Sequence, residues 1–523
     1  MTTKRLSAYL IPSVSEVLFL SIFLFLALYR GIELLNDADT GYHIRAGEHI
    51  LATRSIPYYD LFSFLQPPLP WTAHEWLAEV IMALVHRPFG LTGLVIFFAF
   101  LIASTYLLVF NGLRRDNGSL YGAVALTILV FASSQIHWLA RPHIFSLVLM
   151  AYWYRCLHDL QYRDNNRLSW LPLVMLLWVN LHGGYVVGFV LLGLFLAGNL
   201  LAAWYSQGDE RQAALRRATV LSRCTALSLC AALVNPFGYR ILLFPFELVG
   251  NKYLMDHVSE FVSPNFHEPL PFKYLLLLTI ILLAASRRRS NPVELCLVLF
   301  FTNMALISIR YVTLYAIVVA PIVMVRLDDL ARTGQGRLAA FVRRRDELAT
   351  ELDERAAGRT WIAVGLLAVL LLMVERRIEF RFNPAIKPVA AVEFLQREQI
   401  DGNMFNNDEM GDYIIYAAWP RYRVFFDGRS DMYGVARLKE YFRVTAFEPG
   451  WEAVLTKYGI DWIIYDASSA LSRFLNERPD WRLIYADRLT HIYVRDIPRY
   501  RHLIEKYRHV RPLPPEAERK AAP

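Results

Sequence analysis

Two aspartates, Asp37 and Asp39, follow the first long apolar segment of the chain. A positioned carboxylate can take the proton of an attacking hydroxyl, so both residues are candidates for a catalytic base. Because they are two apart, they project to one side only in an extended segment, whereas Asp39 and His43 would share one helix face. Asp39 or Thr40 could instead cap the start of a helix from about residue 41 to 51. Both interpretations of Asp39 stay open, and His43 is a further catalytic candidate.

Other ionisable residues also lie at the ends of apolar segments, whose middles are almost free of charge. They are His74, Glu75, His137, Arg141, His143, His182 and Arg310. Transporters commonly hold ionisable residues at mid-membrane, so this distribution favours chemistry at one membrane face over transport. Histidine and arginine there can stabilise the charge on a departing phosphate, which makes them candidates for substrate binding. Glu75 joins the catalytic candidates.

Ordinary structural roles compete with three of these assignments. Glu75 could complement the dipole of a helix that begins at His74-Glu75. Arg141 could extend its charged end to the membrane interface. His182 precedes two glycines and could be a turn residue.

The elements that must position these residues are mostly apolar helices. Hydrophobic residues make up 55 % of the 523 residues, mean hydropathy is +0.30, and the surplus lies before Pro384. About eleven segments are long enough, or nearly so, to cross about 30 Å of hydrocarbon. They are 14–30, 91–112, 118–136, 143–159, 168–181, 184–204, 222–245, 273–286, 291–309, 311–326 and 360–375. The sequence therefore predicts an α-helical polytopic membrane domain over 1–376, with a long first outer loop at 31–75.

The distribution of basic residues predicts the orientation. Lys4 and Arg5 precede the first span, and the clusters Arg114–Arg115, Arg287–Arg289 and Arg343–Arg345 fall on the same side under this count. Basic residues are enriched in cytoplasmic loops, so the N-terminus is expected in the cytoplasm and the C-terminal domain outside. The expected location is a bacterial inner membrane with a periplasmic C-terminal domain. The net charge of +8 follows from these clusters and does not indicate a nucleic-acid partner.

Two segments between the spans carry no assigned chemistry. Residues 76–89 are expected to form an amphipathic helix at the membrane interface, and residues 327–359 a solvated or interfacial helix. The four cysteines all lie in or beside apolar segments, so neither a disulfide framework nor a cysteine zinc site is predicted.

Residues 377–508 have the composition of a soluble domain. Strands are predicted at 422–426, 461–465, 481–485 and 491–494, the last two as a hairpin, and helices at 388–399, 434–446, 450–458 and 468–477. Strands alternating with helices predict a small α/β soluble domain at the C-terminal end. The tail at 509–523 is expected to be disordered.

Two polar segments of this domain have alternative interpretations. Asp427-Gly428-Arg429 follows a predicted strand, where α/β folds tend to bind ligands. The same residues could form a tight turn with a surface ion pair. Residues 406–409, with Asp412 nearby, could hold a cation or a sugar, or could be a solvated loop.

Asp37-Ala38-Asp39 after the first span, the long first outer loop and the C-terminal outer domain resemble the GT-C superfamily of membrane glycosyltransferases. The motifs Asp39–His43, Pro57–Ser63, His74–Leu77, Arg141-Pro142, Asn180–Gly184 and Val424–Arg429 also resemble a widespread bacterial group in that superfamily. The resemblance covers nearly the whole chain and implies transfer of a sugar from a polyprenyl-phosphate carrier to a lipid, glycan or protein acceptor. It implies that the first-loop acid is Asp37 or Asp39.

Ala38 separates two acids that are adjacent in several relatives. The resemblance therefore leaves open which aspartate is the base, and no cofactor is assigned beyond a divalent cation as one alternative. A single displacement would invert the sugar's anomeric configuration. Two other functions compete: an O-antigen-type ligase or polymerase, and a non-catalytic membrane scaffold for envelope assembly.

Overall fold

Residues 11–115, 118–257, 259–356 and 360–513 are described in a computed structural model of the chain. Lys4, Arg5 and the part of the expected tail at 514–523 lie outside the described residues. The chain divides into two compact units, each described here by itself. The helical unit holds the described residues of Met1–Leu34, Phe89–Gly250 and Met255–Phe380. The mixed unit holds those of Leu35–Pro88, Asn251–Leu254 and Arg381–Pro523.

Apolar helices dominate the helical unit. Among the described residues, three helices are long and apolar enough to cross a membrane. They are Trp76–Arg114, which continues from the mixed unit, Gly183–Tyr205 and Ile309–Thr333. Shorter apolar helices are Val14–Tyr29, Leu120–Ser133, Leu168–Leu181, Pro271–Ala285, Pro292–Ile307 and Thr360–Val374. The remaining helices of this unit include His143–Arg163, Gly208–Ala232, Arg240–Gly250 and Arg337–Glu354.

The helices agree with a membrane protein but do not confirm eleven spans. A helix of 14 residues is about 21 Å long, which is less than the roughly 30 Å of a hydrocarbon core. The predicted single span at 222–245 is wrong, because one helix ends at Ala232 and the next begins at Arg240. Pro236 and Gly238, whose φ is 56°, lie between them and do not suit a continuous helix.

The expected interfacial helix at 76–89 is not separate. It continues into the following span as one assigned helix, Trp76–Arg114, with a break in helical geometry at Gly90, where φ is 59°. The chain passes from the mixed unit to the helical unit beside this glycine. The left-handed backbone at Gly90 suits glycine, since it lacks a Cβ atom.

A four-stranded sheet forms the centre of the mixed unit. Its strands are β1 (Asn403–Asn406), β2 (Ile460–Asp466), β3 (Trp481–Ala486) and β4 (Thr490–Arg495), in the order β1-β2-β4-β3. β1 and β2 are parallel, and β4 is antiparallel to both β2 and β3. Helices of this unit are Asp39–Thr53, Val389–Glu398, Asp408–Ala418, Ser430–Thr445, Trp451–Lys457, Ala470–Asn476 and Arg501–Lys506. The small C-terminal sheet and the hairpin of β3 and β4 confirm those parts of the sequence prediction, whereas β1 was not predicted.

Two local predictions in this unit are wrong. Residues 422–426 do not form a strand of the sheet; Val424 makes only an isolated bridge with Ser63. Residues 406–409 are not a solvated loop, because β1 ends at Asn406 and a helix begins at Asp408. Asn407 caps that helix by accepting the Met410 N–H at 2.8 Å, and such a cap favours helix formation directly after the strand.

Candidate functional site

The two first-loop aspartates have different surroundings at the start of the helix Asp39–Thr53, called here the first-loop helix. The Asp37 Oδ1 atom accepts the Asp39 backbone N–H at 2.9 Å, so the Asp37 side chain supports the start of this helix. Asp39 is the first helical residue, and its half-buried carboxylate lies against Gly428. Within the mixed unit, Asp39 therefore meets the C-terminal segment at Gly428.

The first-loop helix packs on the helix Asp408–Ala418, called here the domain helix. A Cβ atom at Gly41 would lie 2.7 Å from the Tyr416 Cβ and 2.9 Å from the Asp412 carbonyl oxygen. Real Cβ contacts are essentially never that close, so glycine at position 41 allows this helix contact. The close approach brings Asp412 of the domain helix toward Asp39 at the start of the first-loop helix.

Asp39 and Asp412 form a carboxyl pair. The two side chains share a hydrogen bond, and the Gly428 N–H donates to both Asp412 oxygens at 3.1 Å. Burial raises the pKa of Asp412 well above its usual value, and the charges of Asp39 and Asp427 raise it further. Two carboxylates this close cannot both ionise easily, so the pair retains a proton at a pH where isolated aspartates have lost theirs.

Asn406 fixes the segment that carries Gly428. This fully buried residue donates from Nδ2 to the Phe426 carbonyl at 2.7 Å, and its Oδ1 accepts the Phe425 N–H at 2.8 Å. These two bonds replace the ladder bonds that residues 422–426 would make as a sheet strand. The end of β1 thereby sets the position of Gly428 beside the carboxyl pair.

Arg429 is buried in the centre of an ionic network, with only 2 % of its surface exposed. Its Nη2 atom lies 2.7 Å from oxygens of both Asp427 and Asp60, and Nε donates to Asp427 at 2.9 Å. Burial alone would lower the pKa of the guanidinium, but Asp427 and Asp60 outweigh it and raise the pKa well above its usual value. Tyr433 donates to Asp427 at 2.8 Å and completes this side of the network.

Aromatic rings enclose the same guanidinium. Its carbon lies 4.6 Å from the Trp71 ring centre, 4.8 Å from that of Phe62 and 5.9 Å from that of Tyr42. The first outer loop supplies all of these rings, as it supplies Asp60. The alternative of a surface ion pair at Asp427-Gly428-Arg429 is therefore wrong, because the arginine joins the first loop to the C-terminal segment in a buried setting.

His43 begins a second group of acids and bases in the mixed unit. It is buried, with Nδ1 lying 3.2 Å from Glu79 and Nε2 3.7 Å from Glu75. His74 lies 3.8 Å from Glu75 and is 19 % exposed, so the group extends from a buried acid to a partly accessible histidine. The Glu79 Oε2 and Arg429 Nη1 atoms are buried, and no hydrogen-bond partner for either occurs among the described residues.

The helical unit holds the remaining predicted site residues, and four of them, Arg141, Arg310, His137 and His143, lie near Glu260. One carboxylate oxygen of Glu260 lies 2.9 Å from Arg141, and the other lies 3.5 Å from Arg310. Arg141 lowers the pKa of Glu260 to about 2, with a further lowering from Arg310 that opposes the effect of burial. Two guanidinium groups facing one anion have the chemistry to bind a phosphate instead.

The three predicted site histidines of this unit are held by hydrogen bonds. His137 Nε2 donates to the Arg310 carbonyl at 2.9 Å, and His143 Nε2 donates to the His137 carbonyl at 3.1 Å. Burial lowers the pKa of His137 to about 4. His182 Nδ1 accepts the Gly184 N–H at 2.8 Å and lies 2.8 Å from the Ser146 hydroxyl. His182 thus supports the turn between two helices, as the turn interpretation of this residue expects.

The predicted site residues fall into two groups, one in each unit. The mixed unit holds Asp37, Asp39, His43, His74 and Glu75, and the helical unit holds His137, Arg141, His143, His182 and Arg310. The structure adds Asp60, Glu79, Glu260, Asp412, Asp427, Arg429 and Tyr433 to these groups. Within the described part of the chain, no cluster of His, Cys, Asp or Glu has the arrangement of a metal site.

Comparison with known protein families finds no match, and comparison with curated proteins finds none either. Among solved structures, the chain is similar to the crystal structure of the Archaeoglobus fulgidus oligosaccharyltransferase in the apo form. Sequence identity is 13 %, the TM-score is 0.55, and the match covers 92 % of this chain and 74 % of that chain. At this identity the similarity shows the fold alone.

Proposed function

We propose that this chain is a membrane glycosyltransferase that moves a sugar from a polyprenyl-phosphate carrier to a lipid, glycan or protein acceptor. The observation that carries the proposal is the carboxyl pair of Asp39 and Asp412 against Gly428. The fold similarity to an oligosaccharyltransferase gives it further support. In this proposal the chain lies in a bacterial inner membrane, with the N-terminus in the cytoplasm and the mixed unit in the periplasm.

Asp39 is the proposed general base. The acceptor oxygen forms a bond to the anomeric carbon, the bond from that carbon to the phosphate oxygen breaks, and the electron pair leaves with the phosphate. The acceptor proton goes to the Asp39 carboxylate, while Asp412 carries the proton that the pair already shares. The raised pKa keeps the shared proton on Asp412, so Asp39 is the member of the pair that remains a carboxylate and can take the acceptor proton. A single displacement of this kind inverts the anomeric configuration.

Arg141 and Arg310 are the proposed phosphate-binding residues. Their guanidinium groups suit a phosphate through charge and paired hydrogen bonds, and both already bind a carboxylate. Such groups stabilise a leaving phosphate as its charge develops. His137 and His143 support this region by their bonds to backbone carbonyls.

Asp39→Asn tests the proposed function. The amide keeps the size of the side chain and can still bond to Asp412, so the melting temperature should stay close to that of the wild type. The rate of sugar transfer from a polyprenyl-phosphate donor in nanodiscs should fall at least about 100-fold, because a positioned base contributes about 10²–10⁴. Transfer at the wild-type rate by a stably folded Asp39→Asn variant would refute Asp39 as the base, whereas absence of transfer by the wild type would favour the scaffold function.

A further inference from the structure

One helix of the helical unit has no role in the proposed reaction. This helix, Arg337–Glu354, is called here the arginine helix. It is bonded to the start of two other helices of the unit. Asp346 Oδ1 accepts from the Ser119 hydroxyl at 2.9 Å beside the helix Leu120–Ser133, and Asp353 Oδ1 accepts the Val14 N–H at 2.7 Å. Carboxylates at helix N-termini are favourable because they satisfy free N–H groups and the helix dipole.

The arginine helix also binds the end of a third helix. Arg343 Nη1 donates to the carbonyls of Ala331 and Gly334 at 2.9 Å, where the helix Val312–Thr333 ends. Ile309–Thr333, which contains that helix, has the length and composition of a membrane span. The arginine helix therefore lies where apolar helices begin and end, which for membrane spans is the level of the lipid head groups.

An apolar stripe runs along another side of the arginine helix. Phe341, Leu348 and Leu352 are exposed by 57 %, 46 % and 59 %. At about 100° per residue they fall within roughly 20° of one direction on the helix. Asp346 and Asp353 lie roughly 120–140° away from that direction by the same geometry. The apolar stripe is thus separate from the side that bonds to the rest of the unit.

Basic residues flank this stripe. Arg337, Arg344 and Arg345 are exposed and lie within roughly 60° of the apolar direction, whereas the exposed acids of this helix, Glu347, Glu351 and Glu354, lie roughly 80–140° from it. The Arg345 guanidinium lies over the Phe341 ring at 5.3 Å, so its charge stays near the apolar surface. An apolar stripe with arginines on both sides suits a membrane surface, where rings and leucines enter the acyl boundary and guanidinium groups reach phosphates.

We propose that the arginine helix is a membrane-surface anchor that binds the head groups of anionic phospholipids. The sign of the flanking charges favours anionic lipids over zwitterionic ones. The position at the ends of apolar helices favours a bilayer surface over a soluble protein partner. Each basic residue near an anionic surface contributes roughly fivefold to binding, so three of them contribute roughly 100-fold.

Hydrogen–deuterium exchange of residues 337–354 in the full-length protein tests this anchor. Exchange should be slower in nanodiscs that contain phosphatidylglycerol than in nanodiscs of phosphatidylcholine alone. Raised salt should remove the difference in the wild type, because salt screens exposed charges. Combined Arg337→Gln, Arg344→Gln and Arg345→Gln should also remove it, whereas Arg421→Gln, Arg478→Gln and Arg482→Gln should leave it unchanged.

The controls change the same number of exposed arginines in the mixed unit. Equal exchange of the wild type in both lipids would overturn the proposal. Protection that depends on an added soluble protein and not on lipid would overturn it in favour of a protein-docking surface. This test does not depend on sugar transfer, so its outcome is independent of the proposed reaction.

Discussion

The Asp39 carboxylate lies directly against Gly428, where a Cβ atom would collide with Asp39 Oδ1 and would lie 2.9 Å from Asp412 Oδ2. Position 428 therefore has space for both carboxylates only when it has no side chain. The contact brings an acid of the first outer loop against a segment near the C-terminus. Gly428 fixes Asp412 through its N–H and leaves room for Asp39 at its Cα atom.

Gly428→Ala should separate the carboxyl pair. The added methyl group would push the ends of the Asp39 and Asp412 side chains away, and both can move without displacing the backbone. We expect a loss of transfer rate of about 100-fold, similar to that expected from removal of a general base. Steady-state transfer and a melting curve should be measured on the same preparation.

Gly193→Ala is the matched control for that variant, because nothing lies within 4 Å of a Cβ atom at this helical position. Its activity and melting temperature should match those of the wild type. A fully active Gly428→Ala variant would show that the carboxyl pair is not needed for transfer.

Asp37→Asn should leave the transfer rate within a few-fold of the wild type. The amide oxygen of asparagine can still accept the Asp39 N–H, which is the contact that the Asp37 side chain makes at the helix start. Asp37→Ala removes that acceptor and should cost about 1 kcal/mol of unfolding free energy, as loss of a helix cap does. A 100-fold loss of rate in Asp37→Asn would instead identify Asp37 as the base.

Local patterns predicted part of this site. The i, i+4 spacing correctly placed Asp39 and His43 on one helix, and the same spacing from Glu75 could have identified Glu79. The pairing of Asp39 with Asp412 could not be predicted from such spacing. It depends on the contact between the first-loop helix and the domain helix, which are far apart in the sequence.

The predicted strand at 422–426 failed for a related reason. Its β-branched and aromatic residues have strand propensity, yet Asn406 holds the segment by side-chain bonds outside the sheet. The segment Asp427-Gly428-Arg429 likewise has the sequence of an exposed turn. The aromatic rings and Asp60 of the first outer loop, which is distant in the sequence, make the burial of Arg429 favourable. Tertiary contacts override local propensity in both cases.

Asp412→Asn should change how stability depends on pH. The folded protein raises the pKa of Asp412 above that of the unfolded chain, so the protonated carboxyl stabilises the fold at low pH. That contribution is lost as pH rises from the ordinary aspartate pKa of about 3.9 through the higher folded-state value. The asparagine variant does not titrate, so its stability relative to the wild type should increase as pH rises.

Thermal unfolding of both proteins between pH 4.5 and 8 measures this effect. A difference in melting temperature that is constant over the whole range would contradict a raised pKa at Asp412. The transfer rate of the variant should also lose the pH dependence that the shared proton gives to the wild type.

Arg429→Ala should destabilise the protein by about 3–5 kcal/mol, because it leaves the buried carboxylates of Asp60 and Asp427 without their cation. Arg478→Ala is the control, since its ion pair with Asp480 is exposed and such pairs contribute little to stability. Denaturant unfolding followed by tryptophan fluorescence compares the two, as Trp71 lies against the Arg429 side chain. Equal effects of the two substitutions would contradict a buried role for Arg429.

Glu260→Gln should strengthen binding of the lipid phosphate. The Glu260 carboxylate neutralises Arg141 and Arg310 in the structure, and its low pKa of about 2 means that it stays charged at any working pH. An amide of the same size removes the competing negative charge and leaves both guanidinium groups for a phosphate. The KM for a polyprenyl-phosphate sugar should fall several-fold, whereas Arg141→Gln should raise it by about tenfold or more, as expected for loss of a charged hydrogen bond worth about 1.5–3 kcal/mol.

Glu268→Gln provides the matched control, because this acid lies in the same loop and bonds to Asn265 rather than to an arginine. Its KM should equal that of the wild type. Binding can also be measured without turnover, by titrating polyprenyl phosphate into each variant in nanodiscs and following tryptophan fluorescence. If Glu260→Gln weakens binding as much as Arg141→Gln, the carboxylate contributes to the phosphate site by positioning the arginines, and its role as a competitor is wrong.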